Sequence, residues 1–342
     1  VKIVLVRPGG IGDGVLCLPV AAAIRRSLPQ ARIIFLTSPS VAPLFQHHPD
    51  IDEILTVTGK ERVRELVTLF TRAIDAAVFL MPFHKLMLAA FLARVPLRVA
   101  TGYRWHSFLA NRRIYEHRKG FSKHESEYNL SLLTGLGIEP GPLRRPILVL
   151  TQAEREWAHH RLRDLPNPRM LIHPGGVSPR RWRSQHYWDL ACRCVKQGWG
   201  VVFTGNADER SRLLDDVPEA GEAAKWLPGV VNLMGTLTLR ELMGVVASVQ
   251  AVVSGSTGPA HVAAALGVPT VSLFDPRRMS APIRWKPLGT GYILQPEVPT
   301  CEKCIYEACP YWDCLDRITV DQVVGHVKQV ITRAEPLAVQ RI

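Results

Sequence analysis

The 342-residue sequence contains no run of about 18 consecutive apolar residues, the length a membrane-spanning helix requires. It shows no repeat of solenoid period and no low-complexity tract. Acids are in deficit: 30 Asp and Glu face 42 Lys and Arg, a net charge of +12. That imbalance suggests an anionic partner such as a nucleotide, a nucleic acid or a negatively charged membrane surface, or serves solubility alone. Nucleic acid is the weaker class, because the arginines are dispersed or loop-associated and no aromatics interleave with a basic stripe. Two nucleotide signatures are also missing. There is no Walker lysine pattern, and a GxGxxG fingerprint would need glycine where Val15 stands. The second apolar run ends in Thr37 and Ser38, without the acid that would hold a ribose, so an NAD(P)-binding dehydrogenase is a minor alternative.

What is present is a soluble globular composition, 47% hydrophobic and 21% charged, with enough chain for two domains. The opening VKIVLV is too short for a signal-peptide core and reads as a strand. The seven cysteines are an odd number, which suggests reduced thiols and a cytoplasmic protein.

Short apolar runs alternate with helical patterns: VKIVLV, ARIIFLTS, DEILTV, AAVFLM and LRVA in the first part, then RMLIHPG, GVVFTG, VNLMG, AVVSGS and TVSLFD. This alternation predicts parallel sheets covered by helices on both faces, an α/β architecture of two Rossmann-like domains. IEPGPLRRPI (138–147) carries three prolines and one glycine and is the linker candidate. The domains are accordingly placed at 1–145 and 146–318, with the terminal helical stretch 319–342 expected to pack back on the first. Two such domains hold ligands at the carboxyl ends of their strands, facing a central cleft.

The motifs fall in those strand-to-helix loops. RPGGIGDG follows the first strand, with Gly10 and Gly12 permitting close approach of a ligand and Asp13 among them. A carboxylate repels phosphate, so Asp13 either caps the next helix or takes part in chemistry. SGSTGPAHVAAALG (254–267) places Ser256, Thr257, Gly258 and His261 at a helix start. The alternatives are a capped helix with a packed histidine, or exposed N–H groups, a hydroxyl and an imidazole around a diphosphate; the coincidence of all three favours the anion. HPGGVSPRRW (173–182) sets Arg180 just after a strand, and GNADER (205–210) places Glu209 where an acid can accept ribose hydroxyls.

In their order, GGIGD, HPG…RRW, GNADE and STGPAHVAAALGVPTVSLF resemble the heptosyltransferase-like glycosyltransferases, family nine, of GT-B architecture; HESEYNLSLLTGLG (124–137) and the terminal cysteine segment extend the similarity over nearly the whole chain. The resemblance implies an acceptor-binding first domain and a second that binds a nucleotide-diphosphate sugar, ADP-heptose by analogy, with transfer inverting the anomeric centre. Asp13 matches the catalytic base, Arg180 a basic residue near the donor phosphates, Glu209 a nucleotide-contacting acid, and Thr257, Gly258 and His261 the diphosphate loop. Ser256 departs from the aspartate that many members carry there, which puts the donor sugar in question; a catalytically altered homologue is the alternative.

The resemblance and the charge together imply a lipopolysaccharide-core or other anionic glycan acceptor and peripheral contact with the inner membrane face. Acceptor selectivity is expected in MPFHKLM (81–87) and GYRWHSF (102–108). No cofactor and no catalytic metal are expected, since no DxD-type pair stands out in the second half. Cys301, Cys304, Cys309 and Cys314 form a dense cluster that lacks a second CxxC, so it reads as structural thiols or a tetrahedral zinc site.

Overall fold

The computed structural model describes residues 1–176, 180–221, 227–332 and 338–341. The chain divides into two compact units, Val1–Val149 and Leu150–Ile342.

The first unit is built on strands β1 (Lys2–Val6), β2 (Arg32–Thr37), β3 (Glu53–Thr56), β4 (Ala76–Phe79), β5 (Leu97–Thr101) and β6 (Arg112–Ile114). All pair in parallel in the order β3-β2-β1-β4-β5-β6. β1 and β4 are buried nearly throughout, as continuous apolar runs in a doubly covered sheet must be. Val4, Val6, Ile34, Leu36, Ala77 and Phe79 form one core with Leu66, Phe70, Leu86 and Met87 of the covering helices.

The second unit carries β7 (Arg169–His173), β8 (Gly200–Phe203), β9 (Val230–Asn232), β10 (Ala251–Gly255), β11 (Thr270–Leu273), β12 (Gly291–Gln295) and β13 (Ala338–Arg341). They run in parallel in the order β13-β12-β11-β10-β7-β8-β9.

Strand order reverses between β1 and β4 in the first sheet and between β7 and β10 in the second. Open parallel sheets leave a crevice at such points, outside the carboxyl ends of the strands. The loops that flank the two crevices are the motif loops.

Two of the helical patterns between the apolar runs are interrupted by proline, and the terminal stretch packs differently from the expectation. VLCLPVAAAIRRSL is two helices, Ile11–Val15 and Leu18–Ser27, because Pro19 lacks an N–H and can only open a helix. VAPLFQHH forms a short 3₁₀ turn, Ala42–Phe45, with Pro43 again at its start. The helix Val320–Thr332, expected to reach back to the first domain, buries Val320, Val323, Val324, Val327 and Val330 in the core of the second.

Candidate active-site loops

Asp13 stands in the first turn of the helix Ile11–Val15, whose N-cap is Gly10; the capping role is therefore not its own. Its carboxylate is held by Arg7 at the end of β1, Nη2 to Oδ1 2.5 Å, with Arg7 buried and Asp13 partly open to solvent. Arg7 also donates to the Pro8 carbonyl at 3.2 Å and touches the Met81 sulfur at 2.7 Å. One buried guanidinium thus ties the loop after β1 to the loop after β4 across the crevice. A Cβ would lie 2.9 Å from Arg7 Nη1 on Gly9 and 2.9 Å from Val41 Cγ1 on Gly14, so these are the tight positions; Gly10 leaves ordinary contact distance to Asp13, and Gly12 accepts a helical bond from Leu16.

The HESEYN segment supports this loop from behind. His124 caps the helix Glu125–Ser131, Ser126 Oγ donates to the Leu16 carbonyl at 2.8 Å, and Arg118 pairs with buried Glu125 at 2.6 Å. Burial pushes the adjacent Cys17 thiol up to about 12, so it is no nucleophile near neutrality.

In the second unit, the loop after β10 crosses from Gly255 through Ser256 and Thr257 into the helix Gly258–Leu266. Thr257 is the N-cap but its hydroxyl caps no N–H. Among the described residues, Thr257 Oγ1 is shielded from solvent and finds no hydrogen-bond partner. A buried hydroxyl without a partner costs about 1–3 kcal/mol, and the uncapped helix end leaves donors directed outward. Pro259 fits the first turn because its missing N–H would have been one of these orphans. Ser256 donates its N–H to Leu273 O at 3.0 Å, and His261 is packed on the buried side of the helix.

The loop after β7 lies against this one. Gly176 has φ +147, and a Cβ there would meet the Thr257 methyl at 2.9 Å. Glu209 closes the group: its carboxylate accepts from Gly176 N at 3.1 Å and Asn206 N at 2.8 Å, while Asn206 Oδ1 accepts from Glu209 N in a capping box. A Cβ on Gly175 would fall 2.0 Å from Glu209 Oε1. His173 Nε2 lies 3.8 Å from the same carboxylate, and burial lowers the His173 pKa, so this contact is made by a neutral imidazole.

Arg180 places its guanidinium over the Tyr306 ring, 5.3 Å from the centroid. With Pro174, Arg181, Arg212 and Trp312 it lines a cavity of about 240 Å³. The cysteine segment packs beside the loops after β7 and β11: the Cys301 carbonyl accepts from Arg278 N, Arg183 pairs with Asp316 at 2.5 Å, and Trp182 Nε1 donates to Ile318 O. All four cysteines are free. Burial raises Cys301 and pushes Cys314 to about 11. Among the described residues no three His, Cys, Asp or Glu side chains gather in a way that could hold a metal ion.

Two contributors lay outside the sequence reading: Arg7 fixes Asp13, and Arg277 forks onto buried Asp275 after β11. Of these, Arg7 had a visible signal, a charge closing the apolar run IVLV. Arg181, the second arginine of the RRW motif, donates its Nε–H to Gly176 O at 2.8 Å.

The family model "Glycosyltransferase family 9 (heptosyltransferase)" matches residues 69–311. The chain belongs to glycosyltransferase family 9. This glycosyltransferase is 25% identical over 296 residues to lipopolysaccharide heptosyltransferase 2 of Escherichia coli, covering 80% of this chain and 83% of that one. Among solved structures, E. coli ADP-heptose LPS heptosyltransferase II superposes with a TM-score of 0.81 at 24% identity, covering 97% and 99% of the two chains. An E. coli heptosyltransferase solved with ADP gives 0.70 at 16% identity, covering 96% and 100%. The fold of this family 9 glycosyltransferase is the GT-B class that its motifs imply.

Proposed function

We propose that the protein transfers a heptose or related sugar from an ADP-linked donor to a lipopolysaccharide-core or other anionic glycan, inverting the anomeric centre and requiring no metal. The observation that carries the donor half is the orphaned Thr257 hydroxyl at an uncapped helix start, framed by Gly175 and Gly176. Such a cradle suits the diphosphate: backbone N–H groups, the hydroxyl, and Arg180 at its side neutralise charge that grows as the leaving group departs. His261 supports the helix start from its buried side, Gly258 keeps the entry open, and Ser256 flanks the sugar. Glu209, already bonded to two backbone amides, shapes the loop and offers its remaining lone pairs to the nucleotide. The ADP-heptose and ADP named for the relatives support the choice of nucleotide.

Asp13 takes the acceptor hydroxyl proton. A sugar hydroxyl is a weak nucleophile, and a positioned carboxylate is worth roughly 10²–10⁴ in rate. Arg7 fixes the carboxylate geometry. The basic balance of the chain favours an anionic acceptor and salt-sensitive peripheral contact with a membrane from the cytoplasmic side; no helix among the described residues is long and apolar enough to cross one.

The test is ADP binding followed by turnover. ADP should raise the melting temperature, whereas NAD and an oligonucleotide should not. ADP-heptose with a core saccharide should then give a product of inverted configuration, with undiminished rate in a chelator. No stabilisation by ADP would refute the donor assignment, and ADP binding without turnover would support the altered-homologue alternative.

A further inference from the structure

The helix His84–Leu92 is apolar on both sides. Leu86, Met87, Ala89 and Ala90 enter the core, yet the opposite face shows Phe91 at 45% and Leu92 at 53% exposure, with Lys85 also exposed. The 3₁₀ turn Trp105–Leu109 packs beside this helix, His84 meeting Trp105 at a ring distance of 6.3 Å, and adds Trp105 at 79% and Phe108 at 62%. Phe83, at the helix N-cap, is exposed as well. Scattered exposed apolar residues are ordinary; several large ones on adjoining elements mark an interaction surface.

Charge identifies what covers it. Residues 81–123 contain nine lysines and arginines against one acid, Glu116, which is paired with Lys123. Arg98 stands over the Phe91 ring at 5.3 Å, and Lys85 and Arg104 border the exposed rings. A second copy of the chain meeting this face symmetrically would oppose like charge with like. An anionic bilayer satisfies both features: Trp and Phe settle at the headgroup level while Lys and Arg reach the phosphates.

We propose that the face formed by His84–Leu92 and Trp105–Leu109 seats the protein on an anionic lipid bilayer. The inference deepens the glycolipid-acceptor reading and rests on it for its purpose. The juxtaposition is a set of interfacial anchors on the same sheet as the Asp13 loop, suited to an acceptor whose sugar projects from a membrane.

The experiment is co-sedimentation of the full chain with vesicles of phosphatidylcholine, with and without about one part in three of phosphatidylglycerol. Binding should require the anionic lipid and weaken as salt rises from about 0.1 to 0.5 M. Phe91→Ser with Leu92→Ser should weaken it by roughly tenfold or more, since two exposed apolar anchors are lost. The same variant should keep its stabilisation by ADP and its transfer to a water-soluble saccharide. Unchanged vesicle binding by the variant, or none by the wild type, would overturn the proposal. So would light scattering that shows a wild-type dimer made monomeric by these substitutions, or vesicle binding retained while transfer to the soluble saccharide is lost. Failure of the glycosyltransfer reading would show separately, as a wild type that ADP does not stabilise.

Discussion

Asp13→Asn separates chemistry from architecture, and the structure sets the size of both effects. The carboxylate is held at 2.5 Å by a buried Arg7, while Asp13 itself is 30% exposed. A wholly buried pair broken on one side costs about 3–5 kcal/mol, and an exposed one less than about 1. Asparagine keeps the shape and still accepts one N–H from Arg7, and Arg7 retains the Pro8 carbonyl and the Met81 sulfur. The stability cost is therefore about 1–2 kcal/mol, or roughly 2–8 °C in melting temperature for a unit of this size. That leaves the fold intact. The catalytic effect is of another order: loss of a general base lowers the rate by roughly 10²–10⁴. Initial rates of ADP release at saturating donor measure the second, and thermal melts with and without ADP measure the first. ADP should stabilise the variant as much as the wild type. A variant within about tenfold of the wild-type rate would refute the role of Asp13 as base. A variant that no longer responds to ADP would move Asp13 to donor binding.

Four further outcomes are expected. Thr257→Val should leave the apoprotein as stable or up to about 1–2 kcal/mol more so, because it removes an orphaned hydroxyl, while titration shows weaker ADP binding. Gly175→Ala sets a methyl 2.0 Å from Glu209 Oε1, displaces that carboxylate from its two amides, and should cost about 2–3 kcal/mol in a denaturant melt together with ADP affinity. Arg7→Lys cannot span Asp13 and the loop after β4 at once, so kcat should fall with the donor KM unchanged, and Arg7→Met should fall further. Glu154 receives a fork from Arg240, Nε to Oε1 2.6 Å and Nη2 to Oε2 2.5 Å, which lowers its pKa to about 2 from the ordinary 4.5. A depressed carboxylate stabilises the folded state above pH 4.5 and loses that contribution as pH falls toward 2, so acid titration of Glu154→Gln should lack this component.

Much of the fold was legible because buried parallel strands are written as uninterrupted apolar runs. β1, β4, β7, β8 and β10 all announce themselves this way. The strands that escaped are β6 (RRI), β12 (GYILQ) and β13 (AVQR): the first and last are short and at sheet edges, the last within the stretch expected to be helical, and β12 follows a loop with no helical pattern to frame it. The helix Gln152–Arg161 escaped because its sequence is polar nearly all round; a capping box from Thr151 and the Glu154–Arg240 fork define it.

The site residues divide along the same physical line. Gly175 and Gly176 are visible in sequence as glycines, but what they accommodate, the Glu209 carboxylate and the Thr257 methyl, comes from elements more than 30 and 80 residues later. No local pattern encodes such a pairing. The two motif loops begin alike, each rich in glycine after a buried strand at a switch point, and diverge in one respect. After β1 a buried arginine holds an acid in place; after β10 the described loop presents a bare helix start and a hydroxyl with no partner. Under the proposed function, a negative diphosphate would be repelled by the first carboxylate and admitted by the second loop, while Asp13 in the first would serve as the proton acceptor. In the proposed reaction, the division of labour between base and leaving-group cradle would follow from which loop carries the charge, and exchanging the glycines between the loops would not exchange their chemistry.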